Sequence, residues 1–253
     1  MPPIIPDTTS DVSKKPITVY LTGFGPFRNF TENPSWQIVS SFLPSASVST
    51  DIYDITIIPH PAPVRVAYET IDTLIPSLHA EKKFDYILHI GVALPGDYEI
   101  ETVAHEKGYV KGDIDGLIPG GKKADPEKEK KNETGDTGKC AIEDADGGQV
   151  YKTELDIERI IGMMDACGIV PEETPEKQLV FKESTNAGRF LCEYIYRTSL
   201  RCAEHSSRRV LFLHVPPEDD PYSIKTGAGM LEKFIIAFVT EGERVKRKQE
   251  KEL

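Results

Sequence analysis

The sequence predicts an α/β fold: a single-domain α/β/α sandwich whose mainly parallel sheet is covered on both faces. Three observations carry that expectation. Apolar, β-branched runs such as ITVYLTGF (17–24), DIYDITIIP (51–59) and FDYILHIGV (84–92) are too continuous for strands with one wet face. Segments with helical spacing alternate with them, and nothing repeats at a fixed period. Finally, a chain of 253 residues, 39% of them hydrophobic, can bury roughly three quarters of its unfolded surface in one core.

The first run ends at glycine and reads as the opening strand. SWQIVSSFL (35–43) has apolar residues at 36, 38, 39, 42 and 43, with Ser35 as candidate N-cap, and reads as a helix. A strand over 51–59, a helix over PVRVAYETIDTLIPSL (63–78) and a strand over 84–92 follow. Between Gly108 and Lys152 the chain turns rich in glycine and in both signs of charge, with few large apolar side chains. Such a stretch cannot offset its ordering entropy by burial, so 111–150 reads as a solvated, partly disordered insertion. Regular structure resumes with an amphipathic helix, LDIERIIGMMDACGI (155–169), ending near Gly168, and a short strand, LVFKES (179–184). RRVLFLHVPPEDD (208–220) is a strand stopped by Pro216 and Pro217, and KTGAGMLEKFIIAFVTEGERVKRK (225–248) is a closing helix. The expected organisation is a flexible arm over 1–16, the domain over 17–245 and a charged tail over 246–253.

Composition excludes some functions. Asp and Glu total 41 against 30 Lys and Arg, a formal charge of −11, and an acidic surface repels phosphate backbones, so no nucleic-acid partner is expected. No apolar run is long enough to span a bilayer, and MPPIIPDTTSDVSKKP lacks the basic start and apolar core of a signal peptide. A cytoplasmic protein without membrane attachment is expected. Cys140, Cys167, Cys192 and Cys202 show no metal-ligand spacing and are too few for a disulfide framework in a chain of this length.

Within STNAGRFLCEYIYRTSL (184–200), Ser184, Thr185 and Asn186 are cap candidates that would start a helix near Ala187 and Gly188. Cys192 then lies in its first two turns, where the helix dipole favours a thiolate. Leu191, Ile195 and Ser199 share its side of that helix, which is where a packed core cysteine sits, and from these residues alone that reading is favoured over a nucleophile. His214 ends VLFLHV, beside the crevice where open α/β sheets bind ligands, while His89 lies inside a similar run. Either histidine also fits a hydrogen-bonded core position. A thiol needs a base, and the base needs a third group; Glu99 and Glu101 of DYEIETVAHEKGY (97–109) share a face if that segment is extended, and spacing does not separate them. GFGPF (23–27) lacks the third glycine of a dinucleotide fingerprint, and Pro26 removes a backbone donor, which disfavours a nucleotide.

GFGPF with NPSW (33–36), IETVAHEKGY (100–109), STNAGRFLCEYIY (184–196) and VLFLHVPP (210–217) resemble, in order, the blocks of pyroglutamyl-peptidase I, the cysteine peptidase that removes an N-terminal 5-oxoproline. The resemblance runs from about Ile17 to about Val239, and HEKGY and HVPP are closer to eukaryotic, fungal-like members. It implies Cys192 as nucleophile, His214 as base and Glu101 as orienting carboxylate, with Phe24, Phe27 and Val92 lining a pocket for the uncharged lactam. It implies peptides with N-terminal pyroglutamate as partners, no metal or organic cofactor, and a monomer or homo-oligomer. The ALPGDYEI segment before Glu101 looks shorter than in relatives, and the insertion longer. Two other functions remain open on the residues: a pyroglutamyl-peptide-binding protein without catalysis, and a small-amide hydrolase using the same three groups.

Overall fold

The computed structural model describes residues 13–27, 31–133, 148–172, 175, 178–218 and 222–252. Strand β1 (Lys15–Gly23) is followed by α1 (Pro34–Ser40), β2 (Ala46–Ser49), β3 (Tyr53–Pro59), α2 (Tyr68–Ala80) and β4 (Tyr86–Val92). Next come β5 (Tyr98–Glu101), β6 (Val103–His105), β7 (Leu117–Ile118), β8 (Lys122–Lys123), α3 (Pro126–Glu133) and β9 (Val150–Lys152). The chain closes with α4 (Ile157–Cys167), β10 (Phe181–Ser184), α5 (Leu191–Ala203), β11 (Val210–Val215) and α6 (Ile224–Glu252).

Seven strands form one sheet in the order β10-β5-β11-β4-β1-β3-β2. Its centre is parallel, as the continuous apolar runs require: β1 pairs with β3 and β4, and β4 with β11. The flanks reverse, since β2 is antiparallel to β3, and β5 is antiparallel to β11 while parallel to β10. One face packs Val19, Leu21, Leu88, Ile90, Leu211 and Leu213 against α1, α4 and α6. The other packs Tyr20, Ile87, Val210 and Phe212 against α2 and α5. The sheet is therefore covered on both sides, and each fully buried Leu, Ile or Phe contributes roughly 1.5–3 kcal/mol over an exposed one.

Several helix starts differ from the local reading, each for a non-local reason. The cap of α1 is Asn33, whose side chain accepts from Ser35 N at 3.1 Å; Ser35 Oγ instead accepts from Phe24 N at 3.0 Å, tying the helix to the loop after β1. Helix α2 begins at Tyr68 because Val64 extends alongside β1, donating to Gly23 O at 2.9 Å and accepting from Gly25 N at 2.8 Å. Lacking a local cap, α2 receives one from the insertion: Asp113 Oδ2 accepts from Tyr68 N at 3.0 Å. Asp113 Oδ1 also accepts from Asp115 N and Leu117 N, and Ile114 N donates to Val66 O at 3.0 Å. The first part of the expected solvated insertion is thus docked through hydrogen bonds, which composition does not register; residues 134–147, with Cys140, lie outside the described residues. The expected arm is partly strand, because β1 starts at Lys15, and residues 1–12 likewise lie outside. Helix α6 runs on to Glu252 instead of ending before a tail, supported by Lys246–Glu250 and Lys248–Glu252 pairs at helical spacing.

Candidate active site

Strand β11 carries His214 one residue from its end, at the carboxyl edge it shares with β4. Antiparallel pairing sets Phe212 opposite Glu101 and His214 opposite Glu99, so both carboxylates lie on the histidine's face. Their surroundings then separate them. Glu101 is fully buried, and its Oε1 lies 2.7 Å from His214 Nδ1. The Glu99 carboxylate lies 3.3 Å from Lys182 Nζ on β10.

Cys192 comes to this pair from above. Gly188 and Arg189 adopt left-handed φ values of 94° and 47°, so α5 cannot extend back to Ala187 and begins at Leu191. Cys192 is its second residue, inside the first turn, where N–H groups have no intrahelical partner and the dipole favours negative charge. Ser184, Thr185 and Asn186 do not cap this helix; Asn186 Oδ1 accepts from Gly188 N at 3.2 Å within the preceding turn. The sulfur rests over β4 at Gly91, where a Cβ would stand 2.9 Å from Sγ and 2.7 Å from Phe212 Cζ. Only a glycine in that strand lets the thiol come so close.

Cys192 stands close enough to His214 to raise its affinity for a proton, and since Nδ1 faces Glu101, Nε2 is the nitrogen left for the sulfur. Burial alone would disfavour an imidazolium. The hydrogen bonds and charges of Cys192 and Glu101 outweigh it and push His214 up to about 10. Cys192, His214 and Glu101 therefore form one largely buried interacting group, in which a protonated imidazole is favoured.

Around it, Phe24 is 4% exposed and packs into the core on this face. Phe27 is half-buried, with its ring 5.3 Å from that of Phe190, two residues before the cysteine. Val92 ends β4 and pairs with Val215. Phe190, Gly91 and Glu193 carry no sequence signal of their own, because their roles depend on what packs against them. His89 is a core histidine: fully buried, its Nδ1 lies 2.8 Å from Thr22 Oγ1, and burial, with repulsion from His79, pushes it down to about 3. Cys167 and Cys192 are free thiols. Glu99, Glu101 and His214 offer ligand atoms within 4.8 Å of one another, but Glu101 and His214 direct theirs at each other and Lys182 stands beside Glu99, an ion-pair arrangement more than a cation site.

Known proteins are similar to this chain along most of its length. The family model for pyroglutamyl peptidase matches residues 17–242. Pyroglutamyl-peptidase 1 of Homo sapiens is 29% identical over 227 residues, 88% of either chain, and pyrrolidone-carboxylate peptidase of Saccharolobus islandicus (strain L.S.2.15 / Lassen #1) is 30% identical over 203 residues, 79% of either chain. Among solved structures, the pyroglutamyl peptidase I of Bacillus amyloliquefaciens superposes with a TM-score of 0.61 at 22% identity, covering 91% of this chain and 96% of its own. The pyrrolidone carboxyl peptidase of Thermococcus litoralis gives 0.61 at 19% identity over 90% and 96%, which extends the likeness of fold. With a family match across nearly all of its described sheet and helices, this chain belongs to the pyroglutamyl peptidase family.

Proposed function

We propose that the chain is a cysteine exopeptidase that hydrolyses the bond after an N-terminal pyroglutamyl residue, with Cys192 as nucleophile, His214 as acid–base and Glu101 as the carboxylate that orients it. The observation that carries the reading is the 2.7 Å pairing of His214 with the buried Glu101, with Cys192 acting on the same imidazole, at the carboxyl edge of β4 and β11. His214 holds the thiol proton, and the Cys192 thiolate attacks the pyroglutamyl carbonyl carbon to form an S–C bond. The oxyanion meets first-turn N–H groups of α5, fixed before the reaction begins. His214 then gives its proton to the leaving amine as the C–N bond breaks, leaving a thioester. Water attacks the thioester, its proton passes to His214, and 5-oxoproline leaves as the thiol is restored.

The substrate's terminal lactam carries no charge, so recognition comes from apolar contact on the ring and hydrogen bonds to its N–H and C=O. Phe24, Phe27 and Val92, joined by Phe190, supply an aromatic and aliphatic wall beside Cys192, and Arg189 and Glu193 bind each other instead of offering charge to the ligand. The peptidase unit occupies 17–245, peptides with N-terminal pyroglutamate are its partners, and the chain works in the cytoplasm. Support for that location is that no helix among the described residues is long and apolar enough to cross a membrane and that Cys167 and Cys192 are unpaired.

The test is release of a fluorescent amine from a pyroglutamyl-amide reporter, beside a prolyl reporter, under reducing conditions. Cleavage of the first alone, lost in folded Cys192→Ala and His214→Ala, is the expected result. Full activity in Cys192→Ala removes the nucleophile assignment, and no cleavage by folded wild-type protein removes the peptidase reading itself.

A further inference from the structure

We infer that Glu193 is a positioning residue for this reaction: its buried carboxylate fixes the turn that presents Cys192 and the first N–H groups of α5 to the substrate carbonyl. The inference rests on the reading of Cys192 as nucleophile. Although Glu193 directly follows the cysteine, it is 0% exposed. Oε1 accepts from His105 N at 2.8 Å and lies 2.6 Å from His105 Nδ1, while Oε2 accepts from Arg189 N at 2.8 Å. The Arg189 guanidinium adds an ion pair, with Nε 3.3 Å from Oε1.

Three consequences follow from this geometry. A carboxylate at the third position of a helix can turn back onto a preceding N–H, as in a capping box, and here it reaches Arg189 and crosses to β6. It thereby stays off the N–H groups of Leu191 and Cys192, which remain available as donors. Next, a left-handed φ at a residue with a side chain is held only where the surroundings enforce it, and Arg189 is held by Glu193 and by a 2.9 Å hydrogen bond from its Nη1 to Lys107 O. Finally, His105 closes β6, one residue beyond the strand that ends at Glu101. Glu193 thus locks the helix bearing the nucleophile to the segment bearing the orienting carboxylate.

All the groups around Glu193 act as donors, which a carboxylate satisfies with both oxygens. A glutamine of the same shape turns an NH2 toward one of them, so Glu193→Gln loosens the turn while leaving the volume filled. A displacement near 1 Å at a reacting group costs about 100-fold in rate. The experiment measures kcat and KM on the pyroglutamyl-amide reporter for wild type, Glu193→Gln, Glu193→Asp and Cys192→Ser, with the folded fraction read by circular dichroism. In Glu193→Gln, kcat per folded protein is expected to fall about 10- to 100-fold with KM unchanged, and Glu193→Asp, which keeps the charge, to recover part of the loss. A smaller fall in kcat, or a loss carried by KM alone, overturns the inference. Should Glu193→Gln not fold, Glu193→Asp is judged by the same split. Inactive Cys192→Ser beside a fully active Glu193→Gln defeats this inference and leaves the nucleophile in place, whereas activity in Cys192→Ser defeats the nucleophile reading.

Discussion

Replacing Gly91 by alanine puts a methyl group between β4 and the Cys192 sulfur. Its Cβ would lie 2.9 Å from Cys192 Sγ and 2.7 Å from Phe212 Cζ, against the 3.4 Å at which ordinary contact begins. The sulfur must therefore move by about 0.5 Å and the ring by about 0.7 Å, the differences between those figures. Neither can yield freely: Cys192 is fixed in the first turn of α5, and Phe212 is fully buried, with its ring 4.8 Å from that of His214. Both displacements alter the alignment of sulfur, imidazole and substrate carbonyl. We expect kcat/KM on the pyroglutamyl-amide reporter to fall about 10- to 100-fold. Overpacking should also remove about 1–3 kcal/mol of stability, a drop of several degrees in Tm for a chain of this size. Gly162→Ala is the control, since a Cβ there meets nothing within 4 Å and alanine suits the interior of α4. Unchanged activity in folded Gly91→Ala, or an equal loss in Gly162→Ala, would refute the argument that close approach of the thiol to β4 sets the site.

Two further predictions concern protons. Because Cys192 and Glu101 raise His214 to about 10, the imidazolium proposed to protonate the leaving amine persists to high pH, and the basic limb of the kcat profile should lie near that value. Glu101→Gln should shift this limb to lower pH and reduce kcat about 100-fold, with Glu99→Gln much milder; an unmoved limb, or a larger loss in Glu99→Gln, contradicts the pairing seen at 2.7 Å. His89 has the opposite linkage. Its folded value of about 3 lies below 6.5, so below pH 6.5 the unfolded chain binds a proton that the folded protein refuses, and stability is lost as pH falls from 6.5 toward 3. The stability difference between wild type and His89→Asn, from urea midpoints, should shrink by about 1.4 kcal/mol per pH unit below 6.5, and a pH-independent difference would rule this out.

Strand and helix order was legible because it is local information: β1, β4 and β11 are parallel, buried largely on both faces, and leave runs of consecutive apolar residues. Cys192 near a helix start and His214 at a strand end could be read for the same reason. Glu99 and Glu101 could not be separated by spacing, since alternate residues of a strand share a face, and the resemblance alone singled out Glu101. What distinguishes them is burial beneath α5 for one and an ion pair with an edge strand for the other.

The helix starts show the same division. Ser35 and Asn186 carry the right side chains to cap a helix, yet their hydrogen bonds go to the loop after β1 and to the turn before α5. Asp113, inside a stretch whose composition reads as solvated, caps α2 across 45 positions of sequence. Periodicity and residue type, which act over a few neighbouring residues, determined the α/β class and the element order, while the resemblance to a family singled out Cys192 and His214. Pairing partners, helix starts, the glycine beneath the thiol and the carboxylates that position the site were decided by tertiary structure, because each depends on hydrogen bonds and close approaches between segments that meet only when the sheet assembles.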